Sequence, residues 1–239
     1  MKRPVQALLL CAGLGTRLRP ITLTTPKCLV EIGGIPLLER WLQKLEASGC
    51  SQALINTHYL AEKVKEFTAK RQKNKMIVKT TYEPELLGTA GTLVANKEFF
   101  KQSTVLMIHA DNATNTDINK LLEAHANRPR TCVITMLTFE TDRPKQCGIV
   151  EVDELGVVQS FHEKVAHPPG NRANGAVYVF ESEFIEEVVE KLPGSKDFST
   201  EILPMLMDKI VTHHIRDHFL DIGTPESLAQ AKKIWSAGG

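Results

Sequence analysis

Gln6-Ala7-Leu8-Leu9-Leu10-Cys11-Ala12-Gly13-Leu14-Gly15-Thr16-Arg17 is a short apolar run that ends in a glycine-rich turn and a cation. The run from Gln6 to Cys11 has the length of a strand. In the turn that leaves it, glycines let backbone N–H groups approach an anion closely, and Arg17, with Lys27 ten residues on, can neutralise phosphate charge. A triphosphate site is the natural reading, set against a plain strand-to-helix turn with incidental cations. Two familiar phosphate motifs fail on spacing. The P-loop needs GxxxxGK[ST], and the dinucleotide fingerprint needs glycine where Leu18 stands.

Outward from this segment, β-branched runs alternate with helical patterns. Leu37, Leu38, Trp41, Leu42 and Leu45 share one face of a helix expected over 37–47, which Ser48-Gly49 ends. A strand at 53–57, a helix at 60–70, a strand at 76–82, a helix from Thr89 and a strand at 104–109 follow. This alternation predicts an α/β fold with a parallel or mostly parallel sheet covered by helices. Asp117 reads as the N-cap of a helix running to His125, before a strand at 131–137. After Thr138 come short strands at 149–152, 157–161 and 176–180 with turn-rich connections, the pattern of a small strand-rich part. Helices are expected at 183–191 and near 200–209, then a strand ending at Ile222 and a last helix with Thr224 as N-cap and Pro225 at its first position. Lys70 to Lys75 reads as a solvated helix end, and Tyr178 with Phe180 as core. His213, His214 and His218 suggest a metal cluster only weakly, because strand alternation sends the first two to opposite faces.

Composition bounds the partners. The chain has 239 residues, 42% hydrophobic and 24% charged, with 29 Lys+Arg against 28 Asp+Glu. A chain of that length buries roughly 70–75% of its unfolded surface and needs no disulfide or metal staple. The net charge of +1 argues against coating nucleic acid or an anionic membrane, so neither is expected as a partner and phosphate must be held locally. Five cysteines with no CxxC pair suit reduced, buried thiols and a cytoplasmic location. The apolar run after Met1-Lys2-Arg3 is too short for a secretory leader, and nothing approaches the roughly 18 apolar residues of a membrane helix.

The stretch LLLCAGLGTRLRPITLTTPKCLVEIGGIPLLE resembles the N-terminal signature of the sugar-1-phosphate nucleotidylyltransferases. Matches follow in the family's order at Glu83 to Gly91 (EPELLGTAG), Ala110-Asp111-Asn112, Glu163-Lys164, Asn174 to Tyr178 and Asp221 to Pro225. The resemblance covers nearly the whole chain. It implies a Rossmann-like α/β fold in which 1–138 mainly binds nucleotide and 139–239 mainly binds sugar phosphate. The implied reaction joins an NTP and a sugar 1-phosphate into an NDP-sugar and pyrophosphate by in-line attack on the α-phosphorus.

Residue by residue, the resemblance implies that Leu10, Ala12, Gly13, Gly15, Thr16, Gly88 and Thr89 line the nucleotide. Arg17 and Lys27 would stabilise the α-phosphoryl group and the departing pyrophosphate. Asp111 follows one strand and Asp221 ends another; ligands of open α/β sheets sit at such strand ends, so the two carboxylates could converge on a hard cation. Either Asp could equally cap a turn, and it is the resemblance that implies Mg²⁺. Asn112, Gly148, Glu163, Lys164, Asn174 and Gly175 would meet the sugar phosphate. Glu83 stands where the resemblance puts a base-reading side chain. An ionised carboxylate only accepts hydrogen bonds, which suits guanine N1–H and N2–H₂ and favours GTP. Thymidylyl or uridylyl transfer is the alternative, and a non-catalytic sensing paralogue the alternative of another class. Homo-oligomerisation stays open.

Overall fold

The computed structural model describes residues 3–71 and 76–236. Its strands are β1 (Val5–Leu10), β2 (Glu31–Ile32), β3 (Ile35–Pro36), β4 (Gln52–Thr57), β5 (Ile77–Tyr82), β6 (Thr104–His109), β7 (Asn112–Thr114), β8 (Ile134–Glu140), β9 (Gly148–Val152), β10 (Val158–Glu163), β11 (Arg172–Glu181), β12 (Ile210–His214) and β13 (Phe219–Asp221). The α-helices are α1 (Leu37–Ala47), α2 (Ala61–Lys70), α3 (Gly88–Ala95), α4 (Ile118–Ala126), α5 (Glu183–Lys191) and α6 (Pro225–Ser236). The chain forms two compact units that interleave in sequence: a first of Gln6–Leu86, Ile108–Thr116 and 218–236, and a second of 3–5, Leu87–Met107 and Asp117–Asp217.

In the first unit β1, β4 and β5 run parallel, with Leu10 opposite Asn56 and Asn56 opposite Thr81. β1 is nearly continuous buried apolar sequence, as a strand covered on both faces must be. All five residues expected on the apolar face of α1 are buried, and that helix has the expected bounds. Burying five such side chains stabilises the unit by on the order of 10 kcal/mol before their ordering entropy is subtracted. A two-stranded antiparallel ribbon, β7 with β13, sets Asp221 opposite Asn112, and the Trp41 indole N–H donates to the Asn112 carbonyl at 2.8 Å. α6 starts as expected: the Thr224 hydroxyl accepts from the Ser227 N–H at 3.2 Å, and the Ser227 hydroxyl accepts from the Thr224 N–H at 3.1 Å.

In the second unit β8 pairs antiparallel with β11 and parallel with β12, while β9 pairs antiparallel with β10 and β11. The α/β expectation with a mixed sheet and a strand-rich part holds. Tyr178 and Phe180 are fully buried, packed around Phe198. Asp117 caps α4 by accepting from the Asn119 N–H at 2.9 Å.

Three local expectations are corrected. No α-helix forms over 200–209; a π turn at Phe198–Ile202 passes into a 3₁₀ turn at Leu203–Leu206. Pro204 has no N–H to donate and its ring clashes with the carbonyl four residues back, so an α-helical ladder cannot continue there. Asn174-Gly175 does not open a strand but lies within β11, at a bulge where register shifts between Asn174 and Tyr178 and Ala176 takes φ +51°. The basic cluster is only partly a solvated end. Lys70 is exposed and Gln72 to Lys75 lie outside the described residues, but the Arg71 side chain is 9% exposed and binds Glu39 and Glu46 through four hydrogen bonds of 2.8–3.3 Å.

Arg71 thus clamps the end of α2 to two carboxylates of α1. Arg71→Met removes the shared cation from part-buried acids, and a loss of about 2–4 kcal/mol is expected in urea unfolding, with activity per folded molecule unchanged. A loss under about 0.5 kcal/mol would show the clamp to be idle. Four of the five cysteines are buried, and none of the five is joined in a disulfide. Among the described residues, no helix is long and apolar enough to cross a membrane.

Candidate active site

The turn after β1 shows which of its glycines the fold itself demands. Gly15 has φ +63°, and a Cβ there would sit 2.8 Å from the Thr22 methyl. The Thr22 hydroxyl in turn donates to the Gly15 carbonyl at 2.7 Å, locking the turn from which the short helix Thr16–Leu18 starts. At Gly13 a Cβ would meet nothing within 4 Å. That position is open on the protein side, so its glycine is left to explain by what approaches from outside. Gly13→Ala is therefore expected to leave unfolding within about 0.5 kcal/mol of wild type while weakening inhibition by inorganic tripolyphosphate. Gly15→Ala should instead cost about 1–3 kcal/mol of stability through the left-handed backbone and the clash. Equal effects in both assays for the two variants would refute this division.

Lys27 opens a 3₁₀ turn at Lys27–Leu29, and its side chain is 11% exposed. Its ammonium donates to Asp111 Oδ2 at 2.5 Å and to Asp221 Oδ1 at 3.4 Å. Asp111 sits between β6 and β7, Asp221 ends β13, and the Ile222 N–H donates to the Asp111 carbonyl at 3.0 Å, so the β7–β13 ribbon carries both acids to one point. Burial by itself would lower the Lys27 ammonium, but Asp111 and Asp221 outweigh it and hold it above its ordinary range. Burial would likewise raise Asp111, but the Lys27 charge and then His109 hold it below the usual carboxylate range. Each group of this pair therefore keeps its charge at neutral pH. Of the three ammonium donors, two serve the carboxylates.

Arg17 Nη2 lies 3.9 Å from Asp221 Oδ2, and the Arg17 side chain is 69% exposed, so its guanidinium is accessible to a ligand. A Cβ on Gly223 would sit 2.9 Å from both Arg17 Nη2 and Asp221 Oδ2. The missing side chain at 223 is what lets those two groups come together. The spacing of motifs along the sequence gave no hint of that role.

At the carboxyl ends of the parallel strands a second constellation links three segments. Asn56 Oδ1 accepts from the Cys11 N–H at 2.6 Å, and Asn56 Nδ2 donates to Glu83 Oε1 at 3.0 Å. Asn56 and Glu83 are 3% and 2% exposed. Asn56 was missed by sequence reasoning; the available signal was an amide directly after the apolar run Ala53-Leu54-Ile55. Leu10, Ala12, Gly13, Gly15, Thr16, Arg17, Lys27, Glu83, Asp111, Asn112 and Asp221 thus all fall in the first unit.

The other expected site residues lie in the second unit. Gly88 opens α3 with φ +77°, and a Cβ there would strike the Lys196 carbonyl. The Thr89 hydroxyl accepts from the Phe198 N–H at 2.7 Å, and the Ala90 N–H donates to the Lys196 carbonyl at 2.9 Å. The fold itself therefore accounts for both residues. Glu163 is opposite Gly148 across β10 and β9, its Oε1 is 2.8 Å from Lys164 Nζ, and a Cβ at 148 would sit 2.5 Å from Glu163 Oε2 and 2.6 Å from the Phe161 ring. Asn174 spends its amide on the bulge: Oδ1 accepts from the Ala176 N–H at 2.9 Å and Nδ2 donates to the Tyr178 hydroxyl at 2.7 Å. Burial pushes that hydroxyl up to about 12. Gly175 sits inside the same bulge.

Comparison with known proteins bears on this arrangement. A mannose-1-phosphate guanylyltransferase catalytic subunit beta from Drosophila pseudoobscura pseudoobscura is 31% identical over 93% of this chain and 60% of its own length. A mannose-1-phosphate guanylyltransferase from Mycobacterium tuberculosis is 28% identical over 95% of this chain and 63% of its own. The chain therefore spans about 60% of the length of the curated relatives it matches. In fold it is similar to a Bacillus anthracis structure named for glucose-1-phosphate thymidylyltransferase, with a TM-score of 0.88 at 20% identity over 98% of this chain and 96% of that one. The model of the family described as nucleotidyl transferase matches residues 6–237, from the start of β1 through the glycine turn and both aspartates to the last helix, and the chain belongs to that family.

Proposed function

We propose that this chain joins an NTP, with GTP favoured, to a sugar 1-phosphate, giving an NDP-sugar and pyrophosphate. The observation that carries the reading is the convergence of Lys27 with Asp111 and Asp221, with Arg17 3.9 Å from Asp221. The names of the relatives support it, and they make mannose 1-phosphate the first acceptor to test.

In the reaction a phosphate oxygen of the sugar 1-phosphate attacks the α-phosphorus, and the bond to the β-phosphate oxygen breaks as pyrophosphate leaves. Such a transfer asks the protein mainly for positioning and charge neutralisation. Gly13 leaves room for the phosphates, and Lys27 and Arg17 meet the charge that builds on the α-phosphoryl and leaving oxygens. Asp111 and Asp221 keep Lys27 protonated and aimed. The two acids form a hard oxygen donor set already gathered around a cation, which fits a divalent ion. Mg²⁺ is typically held by one or two carboxylates together with substrate phosphates. Asp111 and Asp221 would hold it, and when bound it supplies further charge neutralisation.

Glu83 reads the base, its carboxylate accepting from guanine. Gly148, Glu163, Lys164, Asn174 and Gly175 serve the sugar phosphate, with Asn112 beside Asp111. The division of labour assigns nucleotide mainly to 1–138 and sugar phosphate mainly to 139–239, with Asp221 folded into the first unit. The test is pyrophosphate release with Mg²⁺, each of GTP, ATP, CTP, UTP and dTTP, and a panel of sugar 1-phosphates. Release is expected with GTP above the others and with mannose 1-phosphate among the acceptors. Absence of release with every pair would overturn the reading.

A further inference from the structure

We propose that Asn56 is the positioning residue that decides which hydrogen-bonding group the side chain at 83 turns toward the nucleotide base. The inference rests on the reading of Glu83 as the base-contacting residue. Asn56 is the penultimate residue of β4, within its buried run, and bridges two neighbours: its Oδ1 accepts from the Cys11 N–H at 2.6 Å, and its Nδ2 donates to Glu83 Oε1 at 3.0 Å. The Cys11 backbone N–H only donates, so the amide oxygen must face it and the NH₂ is left to face Glu83, a single workable orientation. Flipping it would set an NH₂ against the N–H and an oxygen against the carboxylate, two repulsive contacts where solvent cannot compensate. Asn56 therefore presents a donor to position 83, and whatever stands there must turn an acceptor toward it.

Glutamate meets that demand with either oxygen and is an acceptor in every direction it faces. Glutamine would be held with its oxygen on Asn56, so its NH₂ would be the group turned elsewhere. The polarity shown to a base is thus a property of the Asn56 and position-83 pair, and position 83 alone does not determine it. The backbone at 83 is secured independently: the Glu83 N–H donates to the Thr57 carbonyl at 2.9 Å, and His58 Nδ1 lies 2.7 Å from the Glu83 carbonyl. The Asn56 amide consequently acts on the side chain at 83, and through Cys11 on the entrance to the glycine turn.

A polarity exchange tests this. Wild type, Glu83→Gln and the double variant Glu83→Gln with Asn56→Asp are compared by calorimetric binding of GTP, UTP and inorganic tripolyphosphate. In the double variant the new carboxylate at 56 accepts from both the Cys11 N–H and the new amide, which turns the amide oxygen outward again; the total charge equals that of wild type. Glu83→Gln is expected to weaken GTP binding by roughly 10- to 100-fold, and the double variant to recover at least about tenfold of that loss, with tripolyphosphate affinity within about threefold throughout. A double variant no better than Glu83→Gln overturns the inference. So does a fall in tripolyphosphate affinity that parallels the fall in GTP affinity, the signature of a purely structural role through Cys11. Binding is read apart from turnover, so either result with pyrophosphate release intact removes the inference alone. A wild type that binds GTP no tighter than UTP removes the base-reading assignment and the inference with it.

Discussion

Lys27→Met is expected to lower kcat by about 10³-fold while the protein still folds. The side chain is 11% exposed, and methionine matches its stem, so packing is largely kept while the ammonium is lost. Removing one preorganised group that meets developing charge typically costs about 10²–10³ in rate. Here the loss should reach the upper end, because the same cation also holds Asp111 and Asp221 together at 2.5 and 3.4 Å. Without it, burial is opposed only by His109 and a backbone hydrogen bond, so Asp111 should move upward from its wild-type position. The sign for stability follows. In the wild type a depressed Asp111 contributes stability that is present above the unfolded carboxylate value near 4 and is lost as pH falls through its folded value. Lys27→Met should therefore be most destabilising at neutral pH, and its difference from wild type should shrink as pH falls below about 4. Divalent cations should also raise the Tm of the variant more than that of the wild type, since the carboxylates lose their internal counter-charge. Steady-state pyrophosphate release and thermal unfolding across pH check these points; kcat within threefold of wild type would sink the assignment.

Asp111→Asn is the second large effect, an expected fall of about 10³- to 10⁴-fold in kcat/KM. The substitution keeps the shape but removes the closer of the two acids around Lys27. Asp221, at 3.4 Å and 55% exposed, is left as its ionic partner. In the wild type burial lowers Lys27 and the two carboxylates more than offset it; with Asp111 neutral the balance tips toward burial. A lysine with a lower pKa loses its charge at lower pH, so the alkaline limb of the kcat/KM profile should move downward. An unmoved alkaline limb with reduced rate would mean that Asp111 acts without Lys27. Reduced rate with loss of the folded thermal transition would mark Asp111 as structural.

Much of the molecule was legible because its signals are local. The α1 face of Leu37, Leu38, Trp41, Leu42 and Leu45 follows from helical periodicity, and all five are buried. The cap at Thr224-Pro225 is a contiguous signature and forms as expected. Where a local signal failed, a competing constraint was present: Pro204 interrupts the helix that the pattern at 200–209 suggests, and Arg71, in a run that reads as solvated, is drawn between Glu39 and Glu46 of α1. Gly88, Thr89 and Asn174 were singled out as ligand contacts, yet each also has a full explanation in packing.

The sequence alone established the α/β alternation, the glycine turn, the family resemblance and the residue types able to neutralise phosphate, because strand and helix periods, turn residues and motif spacing are written in neighbouring positions. Only the tertiary structure decided which of those residues meet. Lys27 reaches Asp111 across 84 positions and Asp221 across 194, and Asn56 joins Cys11 to Glu83 through strand register. Such meetings depend on how ribbons and parallel strands align, and a shift of one residue in register would turn the strand residues among them, Asn56 in β4 and Asp221 in β13, to the opposite face.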